Sequence, residues 1–489
     1  MERSERSVMT RRTLLAALAL VVACGMLWVN LEGYPRLWFD EGVHLLVARH
    51  LVRTGEYRFG PAVGPTVFYP VAAAFRLLDV GVWQARWVIA GYALLALALG
   101  FSLVRAVGGS TAAWFSLALW LTSPGLNFLG WGRQMLGEVP AWTFFLAGLL
   151  SLQAGFRSGR LSWAIGGGVG LGLAILTKNQ FAIVLPAFLI TAAVDRVYYR
   201  QMRFSRALVV FLLMLAVPLV WYAALRYVGG ERVLQQAVEE WQTAPKRSIW
   251  LGSWQVAFRS ARFILGPRSF LGLGVAGLLF ALPWLRRRSA RGLTSLLLWS
   301  FAALWLGWYV IFSVGWQRYA FAGLAAVAPF AARLLALLWR KAWARQAGRP
   351  SPLAARIAVV ALIVGMIGAP WMARAVALFV RTDRTAYQMA AYIETHVADD
   401  ALIEAWEPEI AFLTDGRYHF PPSHLLDAVS RARALGMDPP PYDPLAADPD
   451  YILVGEFGWW TGLYSSDFLQ ACCRPVKTVG TYVLFEVDR

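Results

Sequence analysis

The sequence predicts a polytopic α-helical membrane protein that ends in a small C-terminal α/β domain. Three observations carry this. Of the 489 residues 58% are hydrophobic, and mean hydropathy is +0.52. Apolar runs repeatedly approach the ~20 residues needed to cross ~30 Å of hydrocarbon. From about Arg381 onward the pattern changes to short apolar segments between polar turns, as in a soluble α/β unit. The net charge of +17 sits in arginine clusters between apolar runs, the distribution of cytoplasmic loops rather than of a nucleic-acid-binding face. Membrane lipids are therefore expected as surroundings, and nucleic acid is not expected as a partner.

About 11 spans can be drawn, near 13 to 31, 83 to 104, 111 to 128, 138 to 155, 162 to 178, 180 to 195, 207 to 228, 269 to 285, 293 to 313, 320 to 338 and 357 to 379. With a cytoplasmic amino terminus carrying Arg3, Arg6, Arg11 and Arg12, every second connection is basic: Arg105; Arg157 and Arg160; Arg196 to Arg206; Arg286 to Arg291; Arg340 to Arg356. Losing one span would break this alternation. It divides the chain into a membrane domain, 1–380, with outer loops 32–82 and 229–268, and an extracytoplasmic α/β domain, 381–489. The first span also fits a cleaved signal peptide, but its length and the lack of a clear small-residue cleavage site favour an anchor. By this reading the protein is multi-pass in the plasma (inner) membrane.

The outer side gathers the unusual residues. The first outer loop holds the adjacent carboxylates Asp40 and Glu41, then His44, His50 and the turn-rich FGPAVGPTVFYP with Tyr69, whose Pro and Gly residues argue against another span. Charge at membrane depth costs roughly 2.5 to 3.5 kcal/mol or more, so an Asp-Glu pair beside a span points to function. The turn GWGRQMLGEVPAW brings Arg133 and Glu138 to the same face, LTKNQF brings Lys178 and Asn179, and SVGWQRYAF brings Gln317, Arg318 and Tyr319. The loop 229–268 is mixed apolar and basic, as helices lying in the interface are. Beyond span 11 the segments DRTAYQMAAYIETHV and EPEIAFLTDG read as helices, and ALIEAW, DYILVGEF and TYVLFEVD as strands. Cys24 lies in the first span and Cys472 and Cys473 are neighbours, so no disulfide is expected.

An Asp-Glu pair directly after the first span, a GRxxxGEVPA turn, an LTK turn, a QRY start to a late span and the outer segment EPEIAFLTDGRY together resemble the GT-C glycosyltransferases. By pattern the chain is similar to the dolichyl-phosphate-mannose protein mannosyltransferase family and to bacterial lipid A aminoarabinose transferases. The resemblance implies a GT-C fold and transfer of a sugar from a polyprenyl-phosphate donor to an acceptor glycan, lipid or protein on the outer face.

The residue types suit that chemistry. An acceptor hydroxyl needs a carboxylate to take its proton, worth about 10² to 10⁴ in rate, and Asp40 is the candidate, with Glu41 and Glu138 as further catalytic carboxylates. The phosphate leaving group needs cations rather than an acid; Arg133, Lys178 and Arg318 are placed to supply them. His44, Tyr69, Asn179, Gln317 and Tyr319 are expected to line the vestibule. Inversion by one direct displacement follows from the likeness alone. Each residue has a plainer reading. Glu41 and Glu138 could cap helix starts, and Lys178 and Arg318 could snorkel to the interface.

Asp40 and His44 stand four apart on one helical face, which leaves a divalent metal conceivable but unassigned. No cofactor is otherwise expected, and no P-loop, nucleotide-binding glycine fingerprint or zinc-protease motif appears. The rival readings are a polytopic transporter or lipid flippase with an outer domain, which would place its charges near the bilayer midplane, and a noncatalytic scaffold.

Overall fold

The computed structural model describes residues 25–57, 63–228, 254–266, 285–346, 352–422 and 424–488, with residues 22, 235, 277, 279 and 349–350. Among them seven helices are long and apolar enough to cross a membrane: Val82–Gly108, Glu138–Ser158, Asn179–Tyr199, Phe204–Leu225, Ala290–Ile311, Gln317–Trp343 and Leu353–His396. Two more expected spans appear as shorter helices, Ser110–Thr122 and Leu161–Thr177. The expected spans 13 to 31 and 269 to 285 lie mostly outside the described residues. So does most of the loop 229–268, whose described part is the helix Trp254–Leu265.

Packing in the membrane domain rests on small residues and aromatic rings. The antiparallel helices Glu138–Ser158 and Leu161–Thr177 touch backbone to backbone, and a Cβ on Gly170 would stand 2.8 Å from Gly148 Cα. Close approach of this kind is how helices bind where lipid leaves no hydrophobic drive between them. Beside them Phe145 lies 4.2 Å from Phe301 and Phe181 lies 5.0 Å from Trp305, centroid to centroid. The buried Trp120 indole donates to Ala325 O at 3.0 Å, so its one polar atom is satisfied.

The turn-rich stretch FGPAVGPTVFYP runs into a helix, Pro65–Leu78, that its prolines hid. Pro65 occupies the first turn, where a missing N–H costs nothing. Pro70 cannot donate to Thr66 O, and the Tyr92 hydroxyl donates to that carbonyl at 2.7 Å instead. At 14 residues this helix is too short to span the hydrocarbon core.

The C-terminal α/β unit is a five-stranded mixed sheet in the order Arg417–His419, Leu402–Ala405, Tyr451–Val454, Tyr482–Val487, Cys473–Val479. The first three strands run parallel and the last two pair antiparallel. The expected helices and strands of this region are present, and the strands Arg417–His419 and Cys473–Val479 are additional, being too polar to show an alternating pattern. Contrary to expectation, Cys472 and Cys473 are joined in a disulfide between neighbours, at the junction of the helix Ser466–Cys472 and the strand Cys473–Val479.

This unit docks on the helix Phe39–Thr54. The Arg49 guanidinium donates to Ala411 O, Phe412 O and Thr414 O at 2.9, 2.9 and 3.0 Å, satisfying the open carbonyls at the end of the helix Pro408–Leu413. Gly42 permits the contact, because a Cβ there would stand 2.3 Å from Glu409 N. Gly42→Val should force the two apart at a cost of about 1 to 3 kcal/mol, the usual range for overpacking. Thermal unfolding and protease cleavage near 381–384 would report it, and an unchanged midpoint with unchanged cleavage would refute so close a fit.

Candidate active site

The helix Phe39–Thr54 begins with two carboxylates in its first turn. Consecutive helical residues project about 100° apart, so the pair divides. Asp40 turns toward the turn Gln317–Ala320 and forms an ion pair with Arg318, the two side chains 17% and 11% exposed. Glu41 turns inward and is wholly buried.

Glu41 is held on three sides. Arg86 donates to it bidentately, Nε to Oε1 at 2.8 Å and Nη2 to Oε2 at 2.5 Å, and the Met135 N–H donates to Oε1 at 3.0 Å. Arg86 Nη1 also donates to Leu31 O and Pro35 O at 2.5 and 2.7 Å. Arg133 is equally occupied: it is wholly buried and donates to Met26 O, Val29 O, Asn30 O and Tyr34 O at 2.6, 2.5, 2.8 and 2.9 Å. These residues stitch the chain before Asp40 to the turn before Glu138.

Glu138 opens its helix and meets Lys178 Nζ at 2.8 Å, with 4% and 7% of the two side chains exposed. Lys178 is aimed by a backbone bridge to Val63 and by the Gly64 N–H donating to Thr177 O at 2.9 Å. The two ion pairs are electrostatically joined, for Arg318 also attracts Glu138 and Asp40 also attracts Lys178. Asn179 follows Lys178 directly, and its buried Oδ1 has no hydrogen-bond partner among the described residues. Two carboxylates and two cations thus share a neutral quartet.

His44 sits one helical turn from Asp40. Burial pushes its pKa below the usual imidazole value, partly opposed by Met135 O. Because Met135 O can only accept, the 2.8 Å contact to Nδ1 places the proton there and leaves Nε2 as the acceptor. Among the described residues no three His, Cys, Asp or Glu side chains are grouped to hold a metal.

The Asp40–Arg318 pair opens into a cavity of about 370 Å³, whose polar wall includes Gln317. Its apolar wall is aromatic, with Trp38, Trp131 and Trp316 from the membrane domain and Phe457 and Trp460 from the C-terminal unit. The Arg318 guanidinium lies 5.0 Å from the Trp316 ring and 5.2 Å from the Tyr319 ring, within cation–π range. Phe457 and Trp460 are carried by the helix Glu456–Thr461, which Glu407 anchors by accepting the Gly455 and Gly458 N–H groups at 2.8 and 2.7 Å. Burial raises the Glu407 carboxyl above the usual range, with Glu409 adding to the effect.

Of the expected site residues, the structure gathers Asp40, His44, Glu138, Lys178, Asn179, Gln317, Arg318 and Tyr319 at one end of the helices. Glu41 and Arg133 stand behind them, committed to other protein groups. Tyr69 lies elsewhere, packed 5.9 Å from both Tyr57 and Trp221. The aromatic wall is not evident in the sequence, whose signals for it are Trp131 in GWGRQ, Trp316 beside QRY and Trp460 in GEFGWW.

Residues 62–221 match the family model described as dolichyl-phosphate-mannose-protein mannosyltransferase. That stretch carries Arg133, Glu138 and Lys178. No curated protein matches the sequence. Among solved structures, the chain is similar to ArnT from Cupriavidus metallidurans bound to undecaprenyl phosphate, with a TM-score of 0.63 at 15% identity, covering 97% of this chain and 98% of that one. It is also similar to the archaeal oligosaccharyltransferase AglB from Archaeoglobus fulgidus in complex with an inhibitory peptide and a dolichol-phosphate, with a TM-score of 0.64 at 12% identity, covering 98% of this chain and 75% of that one.

Proposed function

We propose that this GT-C-fold membrane glycosyltransferase moves a sugar from a polyprenyl-phosphate carrier to an acceptor hydroxyl on the extracytoplasmic face, with inversion. The observation that carries the reading is the Asp40–Arg318 pair at the mouth of an aromatic-walled cavity, with Glu138–Lys178 directly behind it. The likeness to structures bound to undecaprenyl phosphate and dolichol-phosphate supports a lipid-linked donor. Asp40, the aromatic wall and the C-terminal unit lie at one end of the helices, which supports transfer at the outer face if the arginine-rich end is cytoplasmic.

The chemistry follows from the neutral quartet. A donor phosphate entering it competes with Asp40 for Arg318, since both are oxyanions suited to a guanidinium fork. Once Arg318 turns to the phosphate, the Asp40 carboxylate is released to accept the proton of the attacking hydroxyl. Lys178, held by Glu138, adds a second cation where charge grows as the glycosyl–phosphate bond breaks. The Trp and Phe faces offer flat apolar surface for an acceptor, and Phe457 and Trp460 bring the C-terminal unit into its selection. Glu41 and Arg133 serve here as braces for the loop that presents Asp40.

Arg318→Ala should raise the KM for donor about 10- to 100-fold, matching the 1.5 to 3 kcal/mol of a charge-assisted bond, and lower turnover as well. Release of free polyprenyl phosphate by the reconstituted protein, followed by mass spectrometry over a panel of polyprenyl-phosphate sugars, measures both. A parent protein that binds donors yet fails to release lipid phosphate with any of the acceptors tested would overturn the reaction. Unchanged donor kinetics in Arg318→Ala would remove Arg318 from the phosphate site.

A further inference from the structure

At the far ends of the helices that carry the quartet, a second cavity of about 700 Å³ is walled by Arg105, Arg157, Arg287, Arg291, Arg333 and Arg340. These residues come from four stretches of the chain: the last turns of Val82–Gly108 and Glu138–Ser158, the approach to and first turn of Ala290–Ile311, and the second half of Gln317–Trp343. Arg288 also lines the cavity but stacks on the Tyr198 ring at 4.7 Å. No Asp or Glu is among the lining residues. Among the described residues none of Arg105, Arg157, Arg287, Arg291 and Arg340 forms an ion pair.

Membrane topology asks only that the loops on this side be basic. It does not ask that their guanidinium groups converge. Like charges about 8 Å apart repel by roughly 2 kcal/mol at an effective dielectric of 20, and a positively charged rim would be relieved by spreading outward into water. The 22-residue helix Ala290–Ile311 adds the positive end of its dipole to the same space. Fork-shaped donors around a concave, carboxylate-free cavity suit an oxyanion with several acceptor atoms, and basic pockets between helices at a membrane face commonly take phosphate head groups.

We propose that this cavity is a binding site for a phosphate-bearing anion, remote from the quartet and separate from sugar transfer. The shared chemistry is a phosphodiester or pyrophosphate group, supplied either by an anionic lipid entering from the bilayer or by a free polyphosphate entering from water.

The test uses the full chain in nanodiscs. One arm contains phosphatidylcholine with a minor fraction of cardiolipin, and native mass spectrometry counts the lipid adducts. The other contains phosphatidylcholine alone, titrated with inorganic pyrophosphate in a calorimeter. Saturable binding of at least one probe by the parent is expected, weakened about tenfold or more in Arg291→Gln/Arg340→Gln, as loss of two charge-assisted contacts requires. The control pair Arg196→Gln/Arg203→Gln removes equal charge from exposed positions on the same side and should bind as the parent does. Cardiolipin alone binding assigns the lipid source, and pyrophosphate binding assigns the free one. The proposal is overturned if the parent prefers neither probe over phosphatidylcholine and buffer, or if both variant pairs weaken binding alike. The parent measurement needs no variant to fold, so refutation remains possible if the cavity pair does not.

Discussion

Asp40→Asn should lower turnover by at least about 10²-fold, the lower bound for a lost general base, while the donor still binds. Asparagine keeps the shape and a hydrogen-bond acceptor but has no charge, so it can neither pair with Arg318 as an ion nor take a proton from a hydroxyl. Arg318, relieved of its competitor, should hold the donor phosphate at least as tightly as in the parent. The expected signature is therefore a fallen kcat with an unchanged or lower KM for donor, measured on reconstituted protein by release of the lipid phosphate. A merely structural Asp40 would give a different pattern: its loss would loosen the turn Gln317–Ala320, raising KM as kcat falls. Parent-like turnover in Asp40→Asn would move the base elsewhere, and Glu138 is then the next carboxylate to examine, at the cost of leaving Lys178 unpaired.

The apolar helices were readable because their signal is one-dimensional: hydrocarbon thickness sets helix length. Residues such as Asp40, Lys178 and Arg318 could be grouped on the same argument, since residues at one end of an antiparallel bundle share a face whatever their separation in sequence. What the face assignment lacks is angle. Asp40 and Glu41 are neighbours at the same depth, yet one helical step sends Asp40 to the cavity and Glu41 to Arg86. Face and charge alone would send Arg133 to phosphate, but its bonds to four carbonyls depend on a loop path that no local pattern encodes. The helix Pro65–Leu78 is hidden in the sequence because Pro70 is tolerated through Tyr92, which takes up Thr66 O from 26 residues away. The aromatic wall assembles from four separate stretches of the chain, whose rings read in sequence as ordinary interface or core.

Glu41→Gln should destabilise the protein by about 3 to 5 kcal/mol, as removal of one partner from a buried ion pair does, while sparing kcat per folded molecule. The amide can accept only one of the two Arg86 bonds, and its NH₂ group would face the guanidinium or the Met135 N–H, donor against donor. Arg86→Met should be worse, because it strands Glu41 as an uncompensated buried charge and also abandons Leu31 O and Pro35 O. The pair Glu41→Leu/Arg86→Met removes both charges together and should recover part of the Arg86→Met loss, although the two carbonyls stay unpaired. Denaturation of the purified protein in detergent reads the stabilities, and active-site titration with donor normalises turnover to folded molecules. A brace predicts that stability falls while normalised kcat holds. A catalytic Glu41 predicts the reverse, and a Glu41→Gln protein as stable as the parent but lacking turnover would return Glu41 to the reaction and leave Asp40 as its neighbour.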